Sequence, residues 1–399
     1  METDISNSSV ELKLLALLSF PNAVSHWPES ILALLTKVNQ EKFIYLIRFH
    51  RVALVVSRNL LPEWKLLLTA AFLEQLQQQT TQQLQTVRQQ YFQQSRLQKA
   101  FNDAGITHRF FKGLALSQQL YQDIAWRFSK DIDLLISFDD KDQASLLLMQ
   151  FGFVSEFAEL PTTGLGSRIR QALQKDCVFT KPDGTILELH WRLDNAHCKF
   201  SQYMAKQYLT QPVGFSVDEF VYLCVHAAKS KCHRIKWLVD VAAYALKLQQ
   251  TVPDWQISAE ALANKYSVAS QLRLMLLLIK QCYSNLLPIT IQSSFAEQKR
   301  VEAVLTSWQL ALFPKRATLQ SVIKPFFLMS NLSYNARLLF NMVFWPNMDD
   351  VRLLNRLTFP LNYLFLPAFP CYKVLRYLVR VLSQLIAQHN VKRSNDTAS

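Results

Sequence analysis

The stretch 127–136 reads RFSKDIDLLI and is the part of this 399-residue sequence from which the fold can be worked out. Its second half alternates acidic and apolar residues and then becomes apolar, which is typical of a strand buried in a sheet. Side chains two apart on a strand point the same way, so Asp131 and Asp133 share one face while Ile132 and Leu134 face the core. Two carboxylates this close repel each other unless a cation lies between them, and Mg²⁺ prefers oxygen ligands. The stretch therefore predicts a strand that carries part of a metal site.

A basic strand-to-helix turn precedes this strand. Residues 107–111 (THRFF) predict a short strand, and Lys112-Gly113 then leads into a helix. Backbone N–H groups at a helix start bind phosphate, and Gly113 would let the backbone approach a ligand closely. Lys112 adds a positive charge. Arg127 lies four residues before Asp131 in the sequence. From this position it could bind a phosphate or pair with an acid.

A predicted hairpin downstream supplies a third acid. The runs 176–180 and 185–191 are strand-like and are joined by Pro-Asp-Gly, in which Pro fixes φ and Gly accepts a positive φ. Glu188 lies in the middle of the second run, between apolar residues. Because burying an unpaired carboxylate is costly, a Glu in this position indicates a function. If this strand lies beside that of Asp131 and Asp133, three carboxylates could hold two metal ions, as in nucleotidyl transfer.

The order of these motifs resembles that of the DNA polymerase β-like nucleotidyltransferase superfamily. More narrowly, it resembles a bacterial group labelled uncharacterised nucleotidyltransferases, with the motifs K-G-x-x-L, R-x-x-x-D-I-D-L-L and a later acid-x-H-W. Here these motifs stand at 112–116, 127–135 and 188–191, and the resemblance extends over about residues 105–245. It implies a mixed-sheet core, Mg²⁺ (or Mn²⁺) as the cofactor and a nucleoside triphosphate such as ATP as the substrate.

The resemblance also implies a role for each motif residue. Asp131 and Asp133 would bind the metal, and Glu188 would take the place of the third carboxylate, which activates an acceptor hydroxyl. Lys112 and Gly113 would contact the phosphates together with Arg127. The superfamily's usual Gly-Ser turn is Lys-Gly here, so the contacts of a Ser side chain are missing and the pose of the triphosphate stays open.

A further basic pattern follows in the helical part of the sequence. His226, Lys229 and His233 have the spacing of one helical face, which would either close over the triphosphate or face water. We count His226 and Lys229 among the candidate nucleotide-binding residues. Asp240 is expected to pair with Lys236, one turn before it.

The sequence predicts an α+β fold: a small mixed-sheet nucleotidyltransferase core flanked by N- and C-terminal helical regions. Glycine is scarce, at 7 residues, which favours helices. A Gln-rich helix around 72–101 has one narrow apolar stripe, which could dock on its own domain or form a coiled coil. We divide the chain into an N-terminal helical region (1–100), the nucleotidyltransferase core (101–200), a helical domain packing on the core (201–310) and a basic, hydrophobic helical C-terminal region (311–399).

The charge of the chain indicates an anionic partner. The net charge is +13, which suits a nucleotide, a nucleic acid or a membrane surface. Residues 311–399 alone hold eleven Lys or Arg against three Asp. The longest uncharged hydrophobic run, 357–372, contains three prolines and is shorter than the ~20 apolar residues of a spanning helix. We therefore expect no transmembrane segment, while peripheral contact with a membrane stays open.

The six cysteines are scattered and form no C-x-x-C pair. This favours free thiols in a reducing compartment, and we expect the protein in the cytoplasm. A zinc site is the less favoured alternative, because the spacing of its candidate ligands matches no standard pattern. Those ligands would be Cys224, His226, Cys232 and His233.

Together these observations predict a metal-dependent nucleotidyltransferase that moves a nucleoside monophosphate from a triphosphate to an acceptor. The sequence does not identify the acceptor, which could be a small molecule, a sugar, a peptide or a protein, and nucleic acid is possible. The alternative is an inactive nucleotide- or RNA-binding or scaffold protein of the same fold. An active enzyme needs Asp131, Asp133 and Glu188 around one metal shell, so their separation distinguishes the two hypotheses.

Overall fold

The computed structural model of the chain describes residues 8–158, 174–194 and 199–311, with scattered positions between 336 and 379. It divides into two units. The first consists of Met1–Ala158 and Lys175–Leu312, and the second of Glu159–Gln174 and Phe313–Ser399. The second unit lies almost wholly outside the described residues, and so does the C-terminal region for which the sequence predicts basic helices. The elements below all belong to the first unit.

Seven helices precede the sheet in the described part of the chain. Polar side chains fix where two of them begin: the Ser9 hydroxyl accepts from the Leu12 N–H, and the Asn39 side chain accepts from the Lys42 N–H. Such N-caps satisfy backbone donors that a helix start leaves open. The helices are α1 (Val10–Leu18), α2 (Ala23–His26), α3 (Pro28–Leu35), α4 (Gln40–His50), α5 (Ala53–Asn59), α6 (Pro62–Lys65) and α7 (Ala70–Asp103).

The Gln-rich helix α7 is 34 residues long and begins after the N-cap Thr69. Its buried face carries apolar residues such as Leu76 and also amides such as Gln90. This face packs on α4 and α5, and on two helices of the sheet region. Tyr91, which belongs to the predicted apolar stripe, is 53% exposed. The helix thus docks within its own unit, as one of the two alternatives predicts.

In the described ranges, five strands form one mixed sheet in the order β1-β2-β5-β4-β3. β2 and β5 are parallel, and the other neighbouring pairs are antiparallel. One helix follows β1 and another follows β2, so the sheet alternates with helices in its first half. The elements are β1 (His108–Phe110), α8 (Gly113–Tyr121), β2 (Ile132–Ile136), α9 (Lys141–Gln150), β3 (Val154–Ser155), β4 (Asp176–Thr180) and β5 (Ile186–His190).

The interior strand β2 is buried along its whole length. Its register with β5 places Leu134 opposite Leu189 and Asp133 opposite Glu188. Directly opposed residues of neighbouring strands point to the same face of a sheet, so the two acids project together. The adjacency of the two acidic strands, on which the three-carboxylate prediction depends, is therefore present.

A tight turn joins β4 to β5. The Lys181 N–H donates to the Thr185 carbonyl and the Gly184 N–H to the Lys181 carbonyl, each at 3.0 Å. Gly184 has φ +85°, a conformation that a residue with a side chain rarely adopts. The Pro-Asp-Gly hairpin predicted from the sequence is confirmed.

Six further helices follow the sheet in the described residues. The second of them begins after Ser216, whose hydroxyl accepts from the Glu219 N–H, and packs on the next three. The first contacts β1 and β2, and the third contacts α8, so this helical layer covers the sheet. They are α10 (Lys199–Thr210), α11 (Val217–Lys229), α12 (Ile235–Thr251), α13 (Trp255–Lys265), α14 (Ala269–Tyr283) and α15 (Phe295–Gln309).

The predicted α+β class, with a mixed sheet flanked by helices, is confirmed. β4 has the predicted bounds, but other strands are shorter than predicted: β1 covers His108–Phe110 of the predicted 107–111, and Asp131 lies just before β2. The division into four regions stays a prediction. None of the helices in the described ranges combines the length and apolar character needed to cross a bilayer.

Candidate functional site

The centre of the candidate site is the pair of acids on the parallel strands β2 and β5. Asp133 is buried, and the Glu188 side chain is 30% exposed. Both project from the same face because they are opposed in the register. One acid thus lies inside the protein, and the other can still be reached from solvent.

His190 lies between the two acids. Its Nε2 is 3.2 Å from Asp133 Oδ1 and 3.3 Å from Glu188 Oε2, and its Nδ1 is 3.5 Å from Asp176 Oδ2. The ligand atoms of Asp133, Glu188 and His190 all lie within 4.8 Å of one another. Among the described residues, this is the one group of His, Cys, Asp and Glu side chains close enough to hold a metal ion.

Lys112 supplies a cation to the same carboxylate. Its Nζ donates to Asp133 Oδ1 at 3.1 Å, beside the ring of Phe111. Burial alone would lower the pKa of Lys112, but the Asp133 carboxylate raises it above its ordinary value, so the ammonium stays charged. Burial would likewise raise the pKa of Asp133, yet Lys112 and His190 hold it well below its usual range.

Asp131 lies at the entrance to β2 and has a different environment. Its Oδ1 accepts from the Ser129 hydroxyl at 3.0 Å. Burial raises its pKa, and the negative charges of Asp133 and Glu188 raise it further. The charges of Asp133 and Glu188 therefore act on Asp131, but Asp131 does not belong to the group of three side chains whose ligand atoms lie close enough to hold a metal ion. Its role as a metal ligand stays a prediction.

The Lys112-Gly113 turn has an unusual backbone. Lys112 has φ 55° and ψ −148°, a region populated mainly by glycine, and Gly113 has φ +38°. A Cβ at Gly113 would meet the Asp131 carbonyl at 3.5 Å and the Ser129 Cβ at 3.6 Å. The start of α8 is thus placed directly against the acidic end of β2, where backbone N–H groups can face an anion.

Arg127 is held in a buried ion pair. Its Nε donates to Asp240 Oδ2 at 2.7 Å, and its Nη1 lies 3.4 Å from the Gly113 carbonyl. Burial lowers the pKa of Arg127, but Asp240 raises it overall. Asp240, and neither Asp123 nor Asp131, is the acid that pairs with Arg127. The expected Lys236–Asp240 pair was wrong, because the guanidinium occupies Asp240. Arg127 as a phosphate ligand stays a prediction. Through the Gly113 carbonyl it supports the turn.

The spacing predicted that His226, Lys229 and His233 share one helical face. This is wrong for His233, because α11 ends at Lys229. Lys229 forms an ion pair with Asp194. Burial and the nearby Lys112 ammonium lower the pKa of His226 well below its ordinary value, so its ring is neutral. Its ring packs edge-on against Trp237. Direct nucleotide binding by either residue stays a prediction.

The zinc alternative fails in the structure. Its four candidate residues form no ligand group at metal distance, although all four lie in the described part of the chain. Cys232 instead contacts the Met275 sulfur at 3.7 Å, and its carbonyl accepts from the Trp308 indole. The pattern of two Cys and two His reflects packing of buried thiols around the end of α11.

Sequence reasoning missed Asp176. It begins β4, lies opposite His190 in the sheet register and forms an ion pair with Lys175. Burial would raise its pKa, but Lys175 and His190 lower it overall, so it carries a negative charge beside the imidazole. The predicted hairpin could have indicated this residue. Its two strands pair so that Asp176, the first residue of β4, lies beside His190 on β5.

Acids on neighbouring strands of a mixed sheet, beside a basic turn at a helix start, define a site suited to a metal ion and phosphates. A family model described as "Uncharacterised nucleotidyltransferase" matches residues 36–284 of the chain. This is more than half of the sequence, and the chain belongs to that family. No curated protein matches it, and no solved structure does.

Proposed function

We propose that the protein uses a divalent cation to transfer a nucleoside monophosphate from a nucleoside triphosphate to an acceptor. The observation that carries the proposal is the opposition of Asp133 and Glu188 on parallel strands, beside the Lys112 ammonium. Charges gathered in a buried place are costly unless a ligand compensates them. The family, the mixed sheet and the motif order also support a place in the DNA polymerase β-like superfamily.

The side chains present fit Mg²⁺ or Mn²⁺. Asp133 and Glu188 offer carboxylate oxygens, which hard divalent cations prefer, and Asp131 is the nearest further acid. An imidazole nitrogen suits other transition metals better, so we assign His190 to holding the two carboxylates in place. When bound, the cation would neutralise charge on the phosphates during transfer.

Glu188 is the base in this proposal. Its side chain is 30% exposed, so an acceptor hydroxyl can approach it. Glu188 would accept the hydroxyl proton while the acceptor oxygen bonds to the α-phosphorus. The bond from that phosphorus to the bridging oxygen breaks, and pyrophosphate leaves with its electron pair.

The Lys112-Gly113 turn would bind the phosphates. Backbone N–H groups at the start of α8 are not used by the helix and favour negative charge. Lys112 would release Asp133 when the cation binds and then neutralise phosphate charge. Its glycine-like backbone conformation supports a functional reason for this lysine, because strained residues persist where the strain serves a site.

The free cysteines support a reducing compartment as the cellular setting. The five described cysteines are free, four of them buried, which suits the cytoplasm of a bacterium as the resemblance implies. The acceptor stays open between a small molecule, a sugar, a peptide, a protein and a nucleic acid.

The proposal is tested with α-labelled nucleoside triphosphates, Mg²⁺ and a cell extract as the source of acceptors. Asp133→Asn should reduce label transfer by about 10²–10³-fold, since it removes a carboxylate that carries the cation. Glu188→Gln should also reduce transfer, since it removes both the base and one of the carboxylates offered to the cation. Asp142→Asn, on the exposed face of α9 with a side chain 85% exposed, is the matched control.

Equal label transfer by the wild type and Asp133→Asn would refute the enzymatic proposal. Nucleotide binding without any transfer, in both proteins, would favour the inactive binding protein. Equilibrium dialysis with each labelled nucleotide measures binding separately from transfer.

A further inference from the structure

His190 has an unusual environment, because carboxylates face both nitrogens of its buried ring. Nε2 lies 3.2 Å from Asp133 Oδ1 and 3.3 Å from Glu188 Oε2, and Nδ1 lies 3.5 Å from Asp176 Oδ2. The residue is 2% exposed, and its Nδ1 has no hydrogen-bond partner among the described residues. The ring thus lies among three acids with one of its nitrogens unsatisfied.

A neutral imidazole cannot satisfy all of these neighbours. It carries one N–H, so the nitrogen that keeps its lone pair points towards a carboxylate, whose oxygens also offer lone pairs. A metal ion bound to Nε2 removes this conflict, because the lone pair goes to the metal and Nδ1 carries the proton towards Asp176. Metal-binding histidines commonly donate their other N–H to a carboxylate in this way. A second proton on the ring would also remove the conflict, without any metal.

The distances around His190 Nε2 match those of a tetrahedral metal site. Zinc lies about 2.0–2.2 Å from nitrogen and oxygen ligands, so tetrahedral geometry separates neighbouring ligand atoms by about 3.3–3.6 Å. The separations from Nε2 to the Asp133 and Glu188 oxygens are 3.2 and 3.3 Å, and all three ligand atoms lie within 4.8 Å of one another. Three protein ligands leave a fourth position, which solvent can reach beside the partly exposed Glu188.

The charges and the donor atoms of this group favour a transition metal over Mg²⁺. Lys112 pairs with Asp133 and Lys175 with Asp176, but Glu188 has no Lys or Arg within ion-pair distance in the described part of the chain. A divalent cation supplies the missing positive charge. Mg²⁺ prefers six oxygen ligands, whereas Zn²⁺ accepts imidazole and carboxylate in a site of four ligands.

We propose that Asp133, Glu188 and His190 bind one zinc ion when no nucleotide is present, while Asp176 orients the histidine. With Mg²⁺ and nucleotide bound, His190 keeps its role of holding the two carboxylates. The two states exclude each other, because zinc takes up the carboxylate oxygens that the Mg²⁺–nucleotide complex requires and engages the proposed base. Zinc therefore inhibits transfer. The inhibition rests on the proposed nucleotidyl transfer, but zinc binding itself does not.

The test uses zinc chloride as the probe, titrated calorimetrically into the full chain without a histidine tag, Mg²⁺ or nucleotide. Cys371→Ser serves as the background protein, since Cys371 is exposed and its thiol could bind zinc elsewhere. This protein should bind one zinc ion. Adding His190→Gln should weaken binding by about 10²-fold or more, because even the loss of a group that only supports a metal ligand costs about 10–100-fold.

His108→Gln is the matched control, because His108 lies in the same sheet, on β1 beside β2, but outside the ligand group. It should bind zinc like the background protein. Asp176→Asn should weaken binding by a smaller factor, about tenfold, since the amide oxygen still accepts from the ring but carries no charge. Circular dichroism checks that each variant folds. If His190→Gln does not fold, Glu188→Gln is the decisive variant, since its side chain is 30% exposed.

X-ray absorption at the zinc edge identifies the ligands, and should show four nitrogen or oxygen neighbours with scattering from one imidazole. No saturable zinc binding by the background protein overturns the proposal and leaves His190 as a ring held by protons alone. Unchanged binding by both His190→Gln and Glu188→Gln, or a site without imidazole, also overturns it.

The effect on transfer is measured separately, by adding one equivalent of zinc to the labelled-nucleotide assay with Mg²⁺. Transfer that zinc leaves unchanged overturns the inhibitory role. Absence of transfer before zinc is added is a failure of the proposed nucleotidyl transfer alone. Because the titration contains no nucleotide, zinc binding can still succeed in that case.

Discussion

Lys112 and Arg127 carry the same charge and flank the same helix α8, yet the structure gives them different partners. Lys112 pairs with Asp133, a candidate metal ligand, whereas Arg127 pairs with Asp240 on α12. A cation beside a metal ligand can change partner when metal and phosphate bind. A cation in a closed pair with an acid outside the site cannot do so without leaving that acid unpaired. The partner, more than the position in a motif, separates a substrate-binding residue from a supporting one.

The largest effect should come from breaking the supporting pair. Arg127→Met should lower the free energy of unfolding by about 3–5 kcal/mol, because Asp240 is left charged and buried. The double variant with Asp240→Leu should recover most of this loss. Urea denaturation measures both. If the Arg127→Met protein were as stable as the wild type but unable to bind nucleotide, Arg127 would be a phosphate ligand and not a supporting residue.

A third cation beside this pair should show its environment through pH. Burial and the Arg127 guanidinium lower the pKa of Lys236 from 10.5 to about 7. Between these pH values the unfolded chain binds more protons than the folded one, so stability rises with pH from 7 towards 10.5 and is lost as pH falls. The difference between wild type and Lys236→Met in urea denaturation should change by on the order of 4 kcal/mol over this range. A pH-independent difference would mean that Lys236 is solvated.

The smallest effect should come from the backbone of Lys112. Lys112→Gly and Lys112→Ala both remove the ammonium, but only glycine relieves the conformation at φ 55°. Lys112→Gly should therefore be the more stable of the two by about 1 kcal/mol in urea denaturation. Gln118→Gly and Gln118→Ala, on the exposed face of α8, are the control, where alanine should be the more stable. The same order at both positions would show that the turn is not strained.

The sequence was a good guide wherever the decisive physics is local. Strand period gave the buried strand that carries Asp133, and the Pro-Asp-Gly turn gave the hairpin that carries Glu188. The placement of β5 beside β2 was a conditional prediction, because no local pattern determines which strands become neighbours. The structure shows that β2 and β5 are neighbours and pair in parallel.

The partners of the charged residues could not be read in the same way. Arg127 and Asp240 meet because α12 packs on α8. Such contacts depend on how whole helices pack. Sequence spacing favours neighbours one helical turn away, and this explains why Lys236 was wrongly assigned to Asp240.

The parallel pairing of β2 with β5 also has a consequence for how the chain folds. Asp133 and Glu188 are far apart in sequence, and contacts between distant segments form late because the loop between them must first close. During synthesis, a nascent chain that has emerged only as far as α9 already contains Asp131 and Asp133 but lacks Glu188. A divalent cation that needs both strands would bind only the completed sheet, and would stabilise it by mass action. The acids would then couple ion concentration in the cell to the fraction of chains that are fully folded.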